Sequence, residues 1–255
     1  MNNIAGAFQN KKAFIAFLTA GDPSLDKTAE YILAMQEAGA DLIEIGIPFS
    51  DPIAEGEVIQ RASLRALEQG VTLDGIFAML ESIRDRITVP LALMGYINSA
   101  FAYGYDRFLN RSRACGVSGL IFPDLPFEEQ GELLELADSY GISLITLVAP
   151  TSRERVTRLA QTAQGFLYLV SSLGVTGVRG EITTDIPALV EGIKAVTSTP
   201  VAVGFGIATP EQAARYAQAA DGVIVGSAIV KLIEEHGGNA APALQSYIRN
   251  MKAGM

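Results

Sequence analysis

Three features of this sequence combine residue types and spacing that suit chemistry. The first is Glu44, set in the apolar stretch DLIEIG just ahead of the loop IPFSDPIAEGE. An acid inside such a run is costly to bury unless it is paired or functional. Period-two alternation puts Leu42, Glu44 and Gly46 on one face and Ile43 and Ile45 on the other. If the first face lines an interior, desolvation raises the carboxyl pKa toward that of a general acid/base. A buried Glu satisfied by neighbouring backbone is the structural alternative. The second feature is the loop itself, residues 47–57, which carries Asp51, Glu55 and Glu57. Acidic loops are usually just solvated. Next to Glu44, however, this one can bring a second carboxylate over the site, and two carboxylates in unlike environments divide acid and base roles.

The third feature is glycine, in three places: Leu173–Gly177 (LGVTG), Gly204–Gly206 (GFG) and Gly226-Ser227. Glycines at successive strand ends, with Ser opening a helix, suit an anion pocket. Backbone N–H groups stand clear of side chains there, and the positive end of a helix dipole faces the ligand. Tight-turn packing is the plainer reading. Phe17, Tyr96, Tyr168 and Phe205 are candidates for a flat apolar subsite, with core packing as the alternative. Asp124 is placed either to orient a polar group or to cap the turn that follows it.

Absences narrow the chemistry. The six lysines, Lys11, Lys12, Lys27, Lys194, Lys231 and Lys252, all lie outside the apolar runs and their ends, which disfavours a Schiff-base mechanism. The single His236, in EEHGG, is expected to be exposed, and one His cannot build a His-ligated metal site. Cys115, in SRACG, suits packing better than nucleophilic attack. What remains is carboxylate chemistry with a phosphate-type anchor.

The elements that must position these groups follow from periodicity. Eight short apolar runs alternate with amphipathic segments: Ala13–Thr19, Asp41–Gly46, Pro90–Tyr96, Gly119–Asp124, Ser143–Pro150, Phe166–Ser171, Pro200–Gly206 and Gly222–Gly226. Continuous apolar runs of this length predict parallel strands buried on both faces. Helix starts are marked at Ser24, Thr72, Pro126 and Thr209-Pro210, and Gly39, Gly70, Gly116 and Gly141 fall at helix ends. Further short helices are expected at Ile59–Gln69 and Ser227–His236. Eight β/α units in 255 residues predict an α/β fold, a single (β/α)8 TIM barrel over residues 1–255, with a doubly wound open sheet as the competitor. In such a barrel chemistry sits on the loops after the strands.

Composition excludes other classes. With 19 Lys+Arg against 28 Asp+Glu, the chain has no footprint for nucleic acid or an anionic membrane. No run approaches the ~18 apolar residues a membrane helix needs, and the N-terminus carries no export signature, so a cytoplasmic protein is expected. One Cys rules out a disulfide framework.

Six stretches in order along the chain carry a likeness: FLTAGDPS (17–24), IEIGIPFSDPIAEG (43–56), LIFPDLPFEE (120–129), SSLGVTG (171–177), GFGIATPEQ (204–212) and VGSAIV (225–230). In these the sequence resembles the tryptophan synthase alpha subunit family. The resemblance implies retro-aldol cleavage of indole-3-glycerol phosphate to indole and glyceraldehyde 3-phosphate, with no Schiff base, metal or cofactor. It assigns proton transfer to Glu44 and the second carboxylate, on the indole nitrogen, to Glu55. It maps the phosphate site onto Gly177, Gly206, Gly226 and Ser227. The indole subsite maps onto Phe17, Ile59, Met94, Tyr96, Tyr168, Thr176 and Phe205, and Leu173–Asp185 looks like a lid. It also implies a pyridoxal-phosphate beta subunit as partner in an α2β2 complex, docked on the loop after the second run and on Asn98–Tyr103, with Ile53, Ala100 and Phe101 as apolar exits. The family's usual DPLADGP or DPVADGP reads DPIAEGE here, so Glu55 carries an extra methylene and Glu57 replaces a proline. Two alternatives stay open at this level: a TIM-barrel sugar-phosphate isomerase, and a weakly catalytic subunit that mainly activates its partner.

Overall fold

The computed structural model describes residues 3–150, 153–170, 185–204 and 206–255. Among these, nine parallel strands form one sheet: β1 (Ala13–Thr19), β2 (Leu42–Gly46), β3 (Leu91–Met94), β4 (Val117–Ile121), β5 (Ser143–Leu144), β6 (Thr146–Val148), β7 (Leu167–Val170), β8 (Val201–Gly204) and β9 (Gly222–Val225). The order β5-β4-β3-β2-β1-β9-β8-β7-β6 makes β1 and β9 neighbours, and the two outermost strands, β5 and β6, are consecutive in the chain with only Ile145 between them. The Ile145 N–H reaches the Leu120 carbonyl at 2.8 Å, so the ladder on β4 continues through the break. β5 and β6 are therefore two halves of one staggered strand, and the sheet closes as an eight-membered barrel rather than opening as a doubly wound sheet.

Helices ring the outside: α1 (Leu25–Glu37), α2 (Glu57–Glu68), α3 (Leu73–Ile83), α4 (Ile97–Tyr103), α5 (Tyr105–Ala114), α6 (Gly131–Ser139), α7 (Arg153–Thr162), α8 (Ile186–Lys194), α9 (Pro210–Ala219), α10 (Ser227–His236) and α11 (Ala241–Ala253). Their starts follow local chemistry. The Ser24 hydroxyl accepts the Lys27 N–H, the Thr72 hydroxyl accepts the Gly75 N–H, and Thr209 with Gln212 forms a reciprocal capping box behind Pro210. Gly39 and Gly116 end helices at φ 104° and 83°, a conformation that disfavours any side chain.

Several expected boundaries shift, among them the end of the third run, which stops at Met94 and leaves Tyr96 just before α4. The fourth strand begins at Val117, two residues before the expected Gly119, and stops at Ile121 instead of Asp124. Pro123 has no N–H for a ladder, and the register against β3 slips between Leu91 and Ala92. The helix expected directly after Pro126 begins instead as a single 3-10 turn, Phe127–Glu129, with α6 starting at Gly131.

Alternation along the strands divides the buried apolar side chains into two bodies. Phe14, Ala16, Leu18, Ile43, Ile45, Leu91, Leu93, Leu167, Leu169, Val201 and Val203 pack outward against the helices. Ala13, Ile15, Phe17, Leu42, Ala92, Met94, Ile121, Tyr168, Ala202 and Ile224 fill the interior. The side chain at each strand position is thus committed to one core or the other, and Glu44, two residues on from Leu42, faces inward.

The floor of the barrel is pinned by Asp41, whose carboxylate accepts the Phe14 N–H at 2.8 Å and the ammonium groups of Lys11 and Lys252 at 2.5 and 2.6 Å. This ties α11 to the start of β1. Asp41→Ala is expected to lower the unfolding free energy by about 1–3 kcal/mol, because it strands a buried N–H. Asp41→Asn, which keeps an acceptor, should lose less in the same urea titration. Equal losses would mean that the lysine charges, not the Phe14 bond, carry the effect.

Candidate active site

Register fixes the rungs at the C-terminal mouth of the barrel. Phe17, Glu44 and Ala92 lie side by side on β1, β2 and β3, and Thr19, Gly46 and Met94 form the next rung outward. Glu44 is fully buried, and among the described residues neither carboxyl oxygen has a hydrogen-bond partner. Burial alone pushes its pKa from 4.5 up to about 8. The backbone-satisfied alternative for Glu44 is thereby excluded. At neutral pH this side chain is a neutral acid awaiting a partner.

Two inner-face glycines shape the space around it. A Cβ on Gly46 would lie 2.6 Å from Cζ of Phe17, so the Phe17 ring leans across the rung above Glu44. A Cβ on Gly204 would lie 2.5 Å from Cε1 of Tyr168. Tyr168 is buried, and its phenol is held protonated well above its ordinary range by burial and by the charge of Glu44. Ile59 and Met94 belong to the same inner cluster as Phe17 and Tyr168, which gives the mouth an apolar wall beside one acid.

Glu55 is half-buried at the end of the loop after β2, whereas Asp51 and Glu57 are exposed. The Tyr96 hydroxyl donates to its carboxylate and accepts the N–H groups of Ile53 and Ala54 at 2.8 and 2.9 Å. Burial raises the Glu55 pKa most, the Tyr96 hydrogen bond opposes this, and the Asp124 charge adds to it. Asp124 itself accepts the Ile97 N–H on both oxygens, at 3.0 and 3.2 Å, and so caps α4 from the neighbouring loop. The sequence reading puts such a cap on the turn that follows Asp124; the structure puts it on the helix of the preceding unit.

For the anion pocket, Gly226 and Ser227 sit at the start of α10, where the N–H groups of the first turn have no intrahelical partner. Gly226 is against Phe17, with its Cβ position 3.4 Å from Cδ1 of that ring. Gly206 is exposed at φ 77°. Thr176, Gly177 and Phe205 lie outside the described residues, as does the expected lid except for Asp185, whose carboxylate caps α8 at the Ala188 N–H.

Sequence reading missed two groups. The Thr19 hydroxyl is buried on the inner face of β1 with no partner among the described residues, one rung above Phe17. Arg65 on α2 bonds Asp22 of the β1 loop through two nitrogens at 2.9 and 2.8 Å and Glu234 of α10 at 2.8 Å, and Arg61 also holds Glu234. Arg61 and then Arg65 bring the Glu234 pKa down to about 2. This network fixes α2, which starts beside Glu55, against α10, which starts at Ser227. Its partners are 43 and 169 residues apart, so no local spacing reveals them.

The absent chemistries also have a structural basis. Lys11 and Lys252 pair with Asp41, Lys12 bonds the Ala220 carbonyl, and Lys27, Lys194 and Lys231 pair with Glu30, Asp221 and Glu235, all away from Glu44. The Cys115 thiol points at the Phe77 carbonyl and is pushed by burial to about 11.

Fold and site together define a (β/α)8-barrel enzyme whose strand ends carry a neutral buried acid and a second carboxylate. The model of the family "Tryptophan synthase alpha chain" matches residues 5–255. A tryptophan synthase alpha chain from Lactiplantibacillus plantarum is 50% identical over 253 residues, covering 99% of this chain and 96% of its own, and one from Lacticaseibacillus casei is 44% identical over 252 residues, covering 99% and 95%. The crystal structure of the Legionella pneumophila alpha chain superposes with a TM-score of 0.89 at 37% identity, covering 100% of this chain and 97% of that one. A chain of the Pyrococcus furiosus tryptophan synthase α2β2 complex does so with a TM-score of 0.87 at 37% identity, covering 95% and 98%. The chain belongs to the tryptophan synthase alpha chain family.

Glu44 also makes stability depend on pH. The unfolded chain releases this proton near 4.5 and the native state near 8, so the native state is disfavoured progressively from pH 4.5 to 8. Glu44→Gln should therefore gain stability relative to the native chain as pH rises from 5 to 8, by an amount on the order of a few kcal/mol, then level off. A stability difference that stays flat from about pH 5 to 9 would refute the raised pKa.

Proposed function

We propose that this chain cleaves indole-3-glycerol phosphate to indole and glyceraldehyde 3-phosphate, with Glu44 as the proton-transfer group. The observation that carries the reading is the fully buried carboxyl at the barrel mouth, without a partner among the described residues. A neutral acid there donates its proton to indole C3. That carbon becomes tetrahedral and the ring nitrogen becomes an iminium. The carboxylate left on Glu44 then takes the proton of the adjacent glycerol hydroxyl. The C–C bond breaks, its electron pair restores the aromatic ring through the nitrogen, and the hydroxyl carbon leaves as an aldehyde. Glu44 ends protonated as it began.

The substrate supplies its own electron sink, so the protein needs only to stabilise charge on the nitrogen. Glu55 does this as an anion facing the ring N–H. Phe17, Ile59, Met94 and Tyr168 form the slot for the indole; the family resemblance adds Thr176 and Phe205, which lie outside the described residues. The phosphate sits on the N–H groups at Gly226 and Ser227, with Gly206 and Gly177 completing the cradle. Amides hold that anion, which is why a chain of net charge −9 can bind it.

Indole then passes to a beta subunit in an α2β2 assembly. Ile53, on the loop after β2, and Phe101, on α4, are 70% and 68% exposed and suit that contact. Ala100, between them in the expected patch, is fully buried and contributes nothing to it directly. A phosphorylated substrate and a partner enzyme set the reaction in the cytoplasm.

Indole release measured with and without beta subunit tests the reading. Glu44→Gln is expected to lose about 10²–10⁴ in kcat, the range of general acid–base catalysis. In the native protein kcat/KM should fall as pH rises through about 8, because the reacting form of Glu44 is the protonated one. Undiminished turnover of Glu44→Gln would remove this residue from the mechanism, and no indole release at all would overturn the function.

A further inference from the structure

We propose that Tyr96 is a positioning residue of this reaction: its hydroxyl fixes the Glu55 carboxyl and favours its anionic form. The inference rests on the reading of Glu55 as the second carboxylate. Sequence placed Tyr96 in the indole wall, but its polar end is committed elsewhere.

The phenol is first of all a fixed point. Tyr96 is 3% exposed and stands immediately before α4. Its carbonyl accepts the Ser99 N–H at 3.0 Å, and the next residue's N–H is held by Asp124. Its ring stacks on Phe49 with centroids 4.8 Å apart. Phe49 belongs to the same loop as Glu55, so ring and hydroxyl grip that loop at two places.

Counting lone pairs settles the direction of the proton. A phenol oxygen has one proton to give and two lone pairs to receive with. The N–H groups of Ile53 and Ala54 occupy the accepting side. Only the proton is left for Glu55, so Tyr96 donates and the Glu55 oxygen it meets must accept. An ionised carboxylate is the better acceptor. The same bond opposes the burial and the Asp124 charge that both favour the neutral acid. A carboxylate has about four acceptor positions, so one bond to Tyr96 leaves capacity for an indole N–H.

The geometry also accounts for the longer side chain. The Glu55 carbonyl is tied by the Gln60 amide at 2.8 Å, and Gly56 begins the turn into α2. With the backbone fixed on both sides, the extra methylene of Glu relative to Asp is taken up between that backbone and the phenol.

The test is steady-state indole formation by the full-length native chain and its Tyr96→Phe, Glu55→Gln and double variants, each across pH. Tyr96→Phe should lower kcat by about tenfold or more, with KM changed by less than about threefold. Its acid limb should move to higher pH, because the bond that favours ionised Glu55 is gone. Added to Glu55→Gln, it should cause no further loss. If Tyr96→Phe is loosely folded, 3-fluorotyrosine at position 96 keeps all three bonds and strengthens the donor, and the acid limb should then move to lower pH.

An equal loss from Tyr96→Phe in both backgrounds, or an unmoved acid limb, would overturn the proposal. A raised KM with unchanged kcat would overturn it by making Tyr96 an indole contact. A native chain without activity, or a fully active Glu55→Gln, would instead sink the reading beneath it. An impaired Glu55→Gln beside a normal Tyr96→Phe would sink the Tyr96 proposal alone.

Discussion

A carboxyl group sealed in an apolar interior with nothing to bond is among the least favourable arrangements a protein can hold. Glu44 is held this way because its strand has no freedom to turn it out. β2 is laddered on both sides, to β1 and β3, and Ile43 and Ile45 are committed to the outer core. A slip of one residue would drive Glu44 among the helices and two isoleucines into the interior. The outer core therefore fixes where the inner acid points. The glycines at positions 46 and 204 extend the same logic, since side chains there would collide with the rings of Phe17 and Tyr168.

Among the described residues, the rest of the electrostatics keeps cations away from that acid. A lysine or arginine near Glu44 would restore its charge and abolish its use as a proton donor at neutral pH. The ionic clusters lie elsewhere, at Asp41 beneath the barrel and at Arg61, Arg65, Asp22 and Glu234 between α2 and α10. The negative charge the substrate brings is assigned to backbone amides at the start of α10. An amide dipole attracts an anion without the longer-range field of a full positive charge. A phosphate held there, as proposed, would leave the acid neutral.

Much of this was legible in the residues. Strand periodicity located every barrel strand, and the isolated acid in DLIEIG identified Glu44 because apolar runs rarely tolerate one. Boundaries failed where a single residue broke a ladder, at Pro123 and at Ile145. The site was less legible wherever it is held by bonds between distant loops. Tyr96 reads as one more aromatic in a strand-end cluster, and only the fold brings Ile53, Ala54 and Glu55 to its hydroxyl, across about forty residues of chain. Thr19 reads as an ordinary strand residue, and its missing partner is visible only once all its neighbours are known. Family likeness supplied the role of Glu55, which no spacing rule could have separated from Asp51 and Glu57.

The stagger at Ile145 reaches beyond the site. Because β5 and β6 follow one another across the seam, the outermost strands of the described sheet are stretches of only two and three residues, too short for a long row of unpaired N–H and C=O groups. Such rows are where other chains add strands and where fibrils start. A protein that is 49% hydrophobic, with many β-branched runs, carries many segments prone to that fate. In the folded state the one-residue stagger at Ile145 leaves only short stretches of strand at that seam.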